Sequence, residues 1–390
     1  MRYGRALLPL WSLDPRVRYL NHGAFGAAPR AVLEAQRAIR DELEREPTQF
    51  MVRVLPRRLR RSAARLAAFL GTTGAGVAFT ENATAGVNAV MRSIAWRRGD
   101  QVLLSDHAYP AVANTAAWFA RSQGIEVRSV RLPWPARDPG EVVDAFVAAA
   151  TARTRLAIVD HVTSPTALVL PVAGIVRALR RRGIAVLVDG AHAAGMVPLA
   201  LDALGADWYA GTCHKWLCAP KGCAFLWAAP RARRDLHPAV ISNFLGEPFP
   251  AEFDWTGTRD PSAWLALPAA LDFHRRLGGA RLRRRNRALA LEGARVLADA
   301  LDIGQCAPPG MLGAMASLVL PAAFGSGREC AAALNQRLFA RHRIEVPVIP
   351  FRRRLLVRIS AQAYNEREDY ERLARALGRL RGAARSGRRV

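Results

Sequence analysis

Apolar and polar residues follow two different periods along the chain between residues 77 and 227. Short, almost wholly apolar runs, such as Gln101–Ser105, Arg155–Asp160 and Ile184–Asp189, predict buried strands. Between these runs, apolar residues three or four positions apart predict amphipathic helices. Strands that alternate with helices over about 150 residues are typical of βαβ units, so we predict an α/β fold with a mostly parallel, doubly wound sheet.

The pattern changes toward both ends of the chain. A short strand signal and a glycine-rich turn precede two amphipathic helices before residue 71. After residue 268, helices come first and shorter strand signals follow, which predicts a smaller α+β domain. We therefore predict four parts: an N-terminal segment (1–30), a large domain (31–267), a small C-terminal domain (268–380) and a basic, glycine-rich tail expected to be disordered (381–390).

The composition is that of an ordinary globular protein, with 51% hydrophobic and 23% charged residues among 390. The sequence has no signal-peptide pattern and no apolar run long enough to cross a bilayer, so we expect a cytoplasmic protein without a membrane partner. Five cysteines, an odd number, argue against a disulfide framework. Three of them recur every five residues from Cys213 to Cys223, which fits no common zinc pattern, so we expect buried free thiols and no metal site.

A formal charge of +25 would attract nucleic acid or an acidic surface. The arginines lie in short clusters on predicted helices, such as Arg57–Arg61 and Arg283–Arg285. Aromatic residues do not alternate with these clusters, as they would in a platform for stacking bases. We therefore interpret the clusters as solvated helix faces and expect no specific nucleic-acid partner.

Lysine is scarce, because only two of the 57 Lys and Arg residues are lysines. Both, Lys215 and Lys221, lie in the stretch Asp207–Gly222. Arginine holds its proton too tightly to act as a nucleophile or proton shuttle, whereas a desolvated lysine can do both. The pair is therefore a first indication of Schiff-base chemistry, and a compositional accident is the alternative.

Further polar residues follow the predicted strands, where open α/β sheets bind their ligands. The Thr80–Thr84 loop is a candidate phosphate site at a helix N-terminus, or only a helix cap. His107 follows one strand and could lie over a flat ligand, or on the surface. Asp189 ends another strand, where a buried carboxylate needs a partner such as a protonated ring nitrogen or a structural arginine. With Thr212, His214 and Lys215 on one turn, these are the parts of a pyridoxal 5'-phosphate (PLP) site.

These residues lie in motifs by which the chain resembles the class V aminotransferase superfamily, which are fold type I PLP enzymes. Within that superfamily it resembles the isopenicillin-N-epimerase-like group, which includes sulfoxide lyases of the ergothioneine type. The resemblance covers nearly the whole chain and is carried most specifically by four segments: Asp160–Thr166, Val188–His192, Cys213–Gly222 and Asp254–Asp260.

The resemblance implies a role for each candidate residue. Lys215 would form the aldimine, Asp189 would pair with the pyridine nitrogen, and His107 would stack on the ring. His192 would contact the phenolic-oxygen side, although Thr163 and Ser164 stand where class V enzymes often have Asn or Gln. The residues implied on the phosphate are Ala83, Thr84, Thr212 and His214, together with Thr258 from a partner subunit.

The Thr258 role implies a homodimer with shared active sites. Arg358 would bind the substrate α-carboxylate, for which a guanidinium is suited. Asn21 and His22 would border the substrate entrance, together with the rest of the N-terminal segment. Cysteine desulfurases carry a mobile loop with a nucleophilic cysteine shortly before this arginine, but residues 344–357 contain no cysteine, so persulfide chemistry is not expected.

The predicted function is therefore PLP-dependent chemistry on an amino acid, beginning with removal of the Cα proton by Lys215. Epimerisation is the leading prediction, and it requires a second acid or base that the sequence does not identify. The alternatives are a C–S lyase acting on a cysteine conjugate or sulfoxide, an aminotransferase, and a non-catalytic basic binding protein on the same fold.

Overall fold

The computed structural model describes residues 2–385. Its first elements are a short strand β1 (Arg18–Tyr19) and the helices α1 (His22–Phe25), α2 (Arg30–Arg45) and α3 (Leu55–Leu70). The predicted helices at 31–44 and 56–70 are confirmed within one residue at each end. Gly71 ends α3 in the left-handed region, at φ +68°, and its N–H donates to the Ala67 carbonyl.

A central sheet of seven strands follows. Its strands are β2 (Val77–Thr80), β3 (Gln101–Ser105), β4 (Glu126–Val130), β5 (Thr154–Asp160), β6 (Ala185–Gly190), β7 (Trp208–Thr212) and β8 (Ala224–Ala228). Their spatial order is β2-β8-β7-β6-β5-β3-β4. Strands β3 to β7 pair in parallel, whereas β8 runs antiparallel to both of its neighbours. The predicted mostly parallel sheet is confirmed.

Helices cover both faces of this sheet, and its strands are largely buried, except for the edge strand β4, in which only Val130 is buried. These helices are α4 (Ala83–Ser93), α5 (Pro110–Gln123), α6 (Pro139–Ala149), α7 (Val172–Arg180) and the short α8 (Leu201–Leu204). Two separate apolar clusters fill the two faces. One includes Val87 of α4 and Ala116 of α5, and the other includes Phe146 of α6 and Leu179 of α7. This division is the doubly wound arrangement that the sequence predicts.

Three short helices follow the central sheet: α9 (Ala251–Asp254) packs against β2, and α10 (Ser262–Leu265) and α11 (Leu267–Arg276) pack against α2 and α3. The remaining elements build the smaller α+β part, whose helices are α12 (Ala280–Leu301), α13 (Gly327–His342) and α14 (Arg367–Arg385). Its strands are β9 (Met315–Val319), β10 (Ile344–Glu345), β11 (Val348–Phe351) and β12 (Arg354–Ser360). They form an antiparallel sheet in the order β11-β12-β9, and β10 pairs in parallel with β1. The N-terminal segment is thereby joined to the C-terminal part.

Three details bear on the predictions. Strand β11 was not predicted, because it is short and contains Pro350, which is tolerated at a sheet edge. Helix α14 includes residues 381–385 of the predicted disordered tail, and residues 386–390 lie outside the described residues. The five cysteines are free thiols, four of them buried, as predicted. In the part of the chain that the structure describes, no helix is both long and apolar enough to span a membrane.

Candidate active site

A cavity of about 270 Å³ lies at the carboxyl edge of the parallel strands, where an open α/β sheet binds its ligand. The residues around it follow the ends of β3, β5, β6 and β7 or begin α4. Two residues of α1 close its rim. The lining residues are Ala24, Phe25, Asn82, Ala83, Thr84, Tyr109, Asp160, Val162, Ser164, Asp189, Ala191, His192, Thr212, His214 and Lys215.

Lys215 follows β7 and places its amine in this cavity. The Lys215 Nζ lies 3.3 Å from the His192 Nε2. Burial and, to a smaller extent, the Arg358 charge lower the pKa of Lys215 to about 8, although the Asp189 carboxylate partly opposes both effects. A lysine with this pKa has a substantial neutral fraction near neutral pH, so its amine can act as a nucleophile and as a base.

Asp160 and Asp189 end adjacent parallel strands and are register partners of β5 and β6. Their hydrogen-bond donors are uncharged: the Ser105 hydroxyl donates to Asp160 Oδ2 at 3.2 Å, and the Ala191 N–H donates to Asp189 Oδ1 at 3.0 Å. Burial raises the pKa of both carboxyls, and the Asp189 charge raises the pKa of Asp160 further. A buried carboxylate without a cationic partner is costly, so this pair favours a positively charged group in the cavity.

The N-terminus of α4, in contrast, offers backbone donors that favour a negatively charged group in the cavity. Asn82 caps this helix, and its Oδ1 accepts the Ala85 N–H at 2.8 Å. The N–H groups of Ala83 and Thr84 belong to the first turn, where backbone donors have no partner within the helix. Thr212 and His214 line the same cavity and bring a hydroxyl and an imidazole to it. The helix N-terminus suits a phosphate group, while in this structure the Thr212 hydroxyl donates to the Ala191 carbonyl at 2.6 Å and the His214 Nδ1 lies 3.3 Å from the Cys223 carbonyl.

Arg358 of β12 lies directly behind the cavity lining. Its Nη1 donates to the Ser164 carbonyl at 2.6 Å and lies 3.3 Å from the Ser164 hydroxyl. Among the described residues its buried Nε has no hydrogen-bond partner. Burial lowers the pKa of Arg358 to about 10, and its charge in turn lowers the pKa of His192 and Lys215. The guanidinium therefore acts electrostatically on the cavity and keeps donor capacity for an anionic ligand.

The structure brings most of the predicted residues together. Seven of them line the cavity, namely Ala83, Thr84, Asp189, His192, Thr212, His214 and Lys215, and Arg358 adjoins it through Ser164. Tyr109, two residues after His107 in the loop that follows β3, lines the cavity, whereas His107 does not. His107 is fully buried, bonded through Nδ1 to the Thr166 hydroxyl at 2.7 Å and packed edge-on against Phe351. Its predicted contact with a bound ring stays a prediction.

Three further predicted residues lie outside the lining. Asn21 donates to Glu345 Oε1 at 3.0 Å, away from the cavity. His22 is completely buried behind the backbone of Lys215, whose carbonyl lies 3.0 Å from its Nε2. The rim belongs instead to Ala24 and Phe25 of the same segment. Thr258 is exposed on the loop after α9 and does not line the cavity of its own chain.

Sequence reasoning missed Tyr109 and Asp160 as lining residues, although both had a signal. Tyr109 directly precedes the proline that begins α5, in the same loop as His107. Asp160 ends a buried strand, as Asp189 does, and the carboxyl ends of neighbouring parallel strands meet at one edge. Phe25 lies in the N-terminal segment expected at the substrate entrance, but the sequence singled out Asn21 and His22 there, because which residues of the segment face the cavity depends on packing between distant segments.

The family model "Aminotransferase class-V" matches residues 19–373. The chain belongs to this family. It is 37% identical to the isopenicillin N epimerase of Streptomyces clavuligerus over 388 residues, which cover 95% of this chain and 96% of the relative. An isopenicillin N epimerase of Amycolatopsis lactamdurans is 38% identical with the same coverage. An L-cysteine desulfhydrase of Arabidopsis thaliana is 32% identical, over 93% of this chain and 88% of the relative.

Solved structures resemble this chain over most of its length. The cystine C–S lyase C-DES, in complex with its reaction product cysteine persulfide, superposes with a TM-score of 0.78 and 25% identity. The superposition covers 93% of this chain and 97% of the lyase. A C-DES variant with glycine covalently linked to its PLP cofactor superposes with a TM-score of 0.79. The predicted family and fold are confirmed.

The residues of the cavity fit PLP on chemical grounds. Asp189 has only an uncharged donor, which suits a protonated pyridine nitrogen, and the first turn of α4 suits the phosphate. Among the described residues, the buried His192 Nδ1 has no hydrogen-bond partner, so this side of the cavity keeps donor or acceptor capacity. The lysine amine, the acid and the anion site thus occur in one cavity of suitable chemistry.

Proposed function

We propose that this protein is a PLP-dependent enzyme that acts at the Cα of an amino-acid substrate, in the manner of isopenicillin N epimerase. One observation carries the proposal: a buried amine with a lowered pKa, a buried carboxylate whose hydrogen-bond donor is uncharged and a helix N-terminus converge on one cavity. The relatives at 37–38% identity over 95% of the chain support the epimerase-like assignment.

Each residue has a task in this proposal. Bound PLP supplies an electron sink for negative charge that develops at Cα. Lys215 binds the cofactor and, once released from it, takes the Cα proton at Nζ. Asp189 keeps the ring nitrogen protonated, while Thr212, His214 and the first turn of α4 hold the phosphate. Tyr109 takes the ring-facing place predicted for His107, because it lines the cavity from the same loop after β3.

Arg358 binds the substrate carboxylate in this proposal. Its position behind Ser164 and its unpaired Nε support the assignment. A bidentate guanidinium–carboxylate pair would fix the amino acid so that the bond to the Cα proton is directed toward Lys215. Phe25, exposed at the rim, places an apolar surface where the substrate side chain enters.

Reduction of the holoenzyme with borohydride and peptide mapping tests the cofactor assignment. With only two lysines in the chain, a pyridoxyl adduct has few sites to occupy. We expect it on Lys215 and not on Lys221, and absence of an adduct from Lys215 would overturn the proposal. Incubation with candidate amino acids in deuterated water then tests the reaction. Loss of optical activity together with deuterium at Cα is the epimerase result.

A C–S lyase is the second candidate. The L-cysteine desulfhydrase relatives and the superposition on C-DES favour it. No thiol lines the cavity of the described chain, so a lyase here would release its sulfur product without a persulfide on the enzyme. Release of pyruvate and a sulfur compound from a cysteine derivative, without racemisation of recovered substrate, would select the lyase over the epimerase.

We also propose a homodimer with shared active sites. Thr258 is exposed, and residues 240–245 include four exposed apolar side chains, Val240, Ile241, Phe244 and Leu245, which supports a protein interface. Size-exclusion chromatography with light scattering tests the dimer. Mixing inactive Lys215→Ala and Thr258→Arg subunits tests sharing, because one intact site per mixed dimer should restore activity. Recovery no greater than in the unmixed variants would refute shared sites.

A cytoplasmic location is a further proposal. The free thiols support it, because reducing compartments keep cysteines unpaired. Fractionation of source cells with an antibody to the protein tests the location, and recovery from an oxidising compartment would contradict it.

A further inference from the structure

The segment Asn21–Gly26, here called the N-terminal support, packs against the backbone that carries Lys215. Gly26 adopts φ +65°, and a Cβ atom there would lie 1.9 Å from the His214 carbonyl oxygen and 2.9 Å from the Lys215 Cα. Backbone therefore meets backbone at a distance that only glycine permits. The Nζ of Lys221 donates to the Gly26 carbonyl at 3.3 Å, so the second lysine of the chain ties this support to the same loop.

His22 is the polar centre of the N-terminal support. It is fully buried, and its Nε2 lies 3.0 Å from the Lys215 carbonyl oxygen. Its Nδ1 lies 2.9 Å from the Tyr364 hydroxyl. Two weaker neighbours of Nε2 are the Gln362 amide nitrogen at 3.1 Å and the Cys218 thiol at 3.7 Å. One buried ring thus contacts the lysine backbone on one side and the C-terminal part of the chain on the other.

The partners assign the tautomer of His22. Burial lowers its pKa to about 4, so the imidazole is neutral near pH 7 and carries a single N–H. The Lys215 carbonyl can only accept, which requires the N–H at Nε2, while Nδ1 accepts from the Tyr364 hydroxyl. The Gln362 Oε1 accepts from the Asn286 amide at 3.1 Å and from the Ala363 N–H at 2.8 Å, so the Gln362 amide nitrogen faces His22 and Cys218. With the proton on His22 Nε2, this amide donates to the Cys218 thiol at 3.8 Å, and its 3.1 Å approach to Nε2 is a contact between two donors and not a hydrogen bond.

The carbonyl that His22 contacts closes a tight turn. The Cys218 N–H donates to the Lys215 carbonyl at 3.1 Å, and Cys218 adopts φ +59°, in the left-handed region that a side chain disfavours. The His22 N–H is a second donor to the same oxygen. The two donors fix the direction of the Lys215 peptide, and with it the direction in which the side chain leaves the backbone.

The N-terminal support also contacts the end of β12, the strand of Arg358. The Gly23 N–H donates to the Ser360 hydroxyl at 3.1 Å, and the Ser360 N–H donates to the Leu20 carbonyl at 2.9 Å. The segment is therefore placed between the turn of Lys215 and the strand that carries the guanidinium. It is in a position to hold these two groups in register.

We propose that His22 is a positioning residue for the reaction: its Nε2–H, donated to the Lys215 carbonyl, orients the lysine that binds the cofactor. The proposal rests on the proposed function of Lys215. It assigns to His22 a role different from that of a residue at the substrate entrance. Gly26 and Lys221 assist by fixing the support against the same loop.

The experiment compares His22→Phe with Tyr364→Phe in the full-length protein. Both remove one hydrogen bond of the same ring site, but only the first removes the donor to Lys215. The rate at which apoenzyme captures PLP, followed by absorbance and by the borohydride-trapped adduct, should fall about tenfold in His22→Phe. In Tyr364→Phe it should change less than twofold, although both variants lose thermal stability.

Two further variants keep the test decisive. His22→Gln retains an amide donor and should recover part of the capture rate, whereas His22→Asn is polar but shorter and should behave like His22→Phe. His22→Asn serves as the comparison should the phenylalanine variant not fold. The substrate KM should change less than kcat in every His22 variant, since the ring does not line the cavity.

The two proposals fail in different ways. If wild-type protein gives no adduct on Lys215, the proposed function is wrong. If wild-type protein gives the adduct but the His22 variants capture PLP within twofold of Tyr364→Phe, the positioning role is wrong and His22 only stabilises the fold.

Discussion

The lowered pKa of Lys215 predicts how fast the protein captures its cofactor at each pH. With a pKa of about 8, roughly 9% of the amine is neutral at pH 7, against roughly 0.03% for an ordinary lysine with a pKa of 10.5. The difference is about 300-fold in reactive amine. Replacing Arg358 with Gln removes a neighbouring positive charge, so the pKa of Lys215 should rise toward its ordinary value and capture at pH 7 should slow.

The scarcity of lysine makes this titration unusually direct. Reductive methylation of apoenzyme with 13C-formaldehyde labels Lys215, Lys221 and the terminal amine, and NMR follows each label against pH. A Lys215→Arg sample assigns the signal. Asp189→Asn is the matched control, because Asp189 raises the pKa of Lys215, so its loss should lower that pKa while Arg358→Gln raises it.

The reasoning is refuted by a Lys215 signal that titrates near 10.5 in a folded protein. It is also refuted if Arg358→Gln and Asp189→Asn move the Lys215 pKa in the same direction. In the first case, burial does not control the amine. In the second, the two charges do not act on it as the structure requires.

Four further predictions follow from the same residues. Because the folded pKa of Lys215 lies below its unfolded value, the apoenzyme should gain stability as the pH rises from 8 to 10.5. At pH 7, urea unfolding should show Lys215→Met more stable than wild type by up to ~3 kcal/mol, and at pH 10.5 it should show no such gain. Asp160 has a raised pKa, so Asp160→Asn should stabilise apoenzyme at pH 8 but not at pH 4, which thermal unfolding at both pH values checks. In a fluorescence titration, Tyr109→Ala should weaken PLP binding about 2- to 10-fold, and Tyr109→Phe should not weaken it. His107→Phe should lower thermal stability and affect PLP affinity less than Tyr109→Ala does. A larger loss of affinity in His107→Phe than in Tyr109→Ala would restore His107 as the ring contact. Lys221→Arg should keep activity within a few-fold, and a severe loss would mean that Lys221 takes part in the chemistry.

Residues whose place depends on their own strand or turn could be predicted from the sequence. Asp189 ends a strand of apolar residues, and Lys215 follows the next strand in the sheet, so both had to reach the carboxyl edge. Ala83 and Thr84 begin a helix directly after a strand, which places their N–H groups at that edge as well. Local pattern and sheet topology together determine these positions.

Residues whose place depends on contacts between distant segments could not be predicted. His107 and Tyr109 share one loop, and only packing of His107 against Phe351 and Thr166 decides which ring faces the cavity. His22 lies nearly 200 positions before Lys215, and no local signal indicates that its imidazole meets the lysine carbonyl.

The sequence by itself therefore determined the class of the fold, the family and the chemical groups of the site. The fold class depends on periodicity and on strand ends, and the family depends on the motifs by which the chain resembles it. All of these are local properties of the chain. The tertiary structure decided which side chains face the cavity and which support it from behind. That distinction depends on close packing between segments far apart in sequence, where a shift of a few ångströms separates a residue that lines the cavity, such as Tyr109, from one enclosed behind it, such as His107.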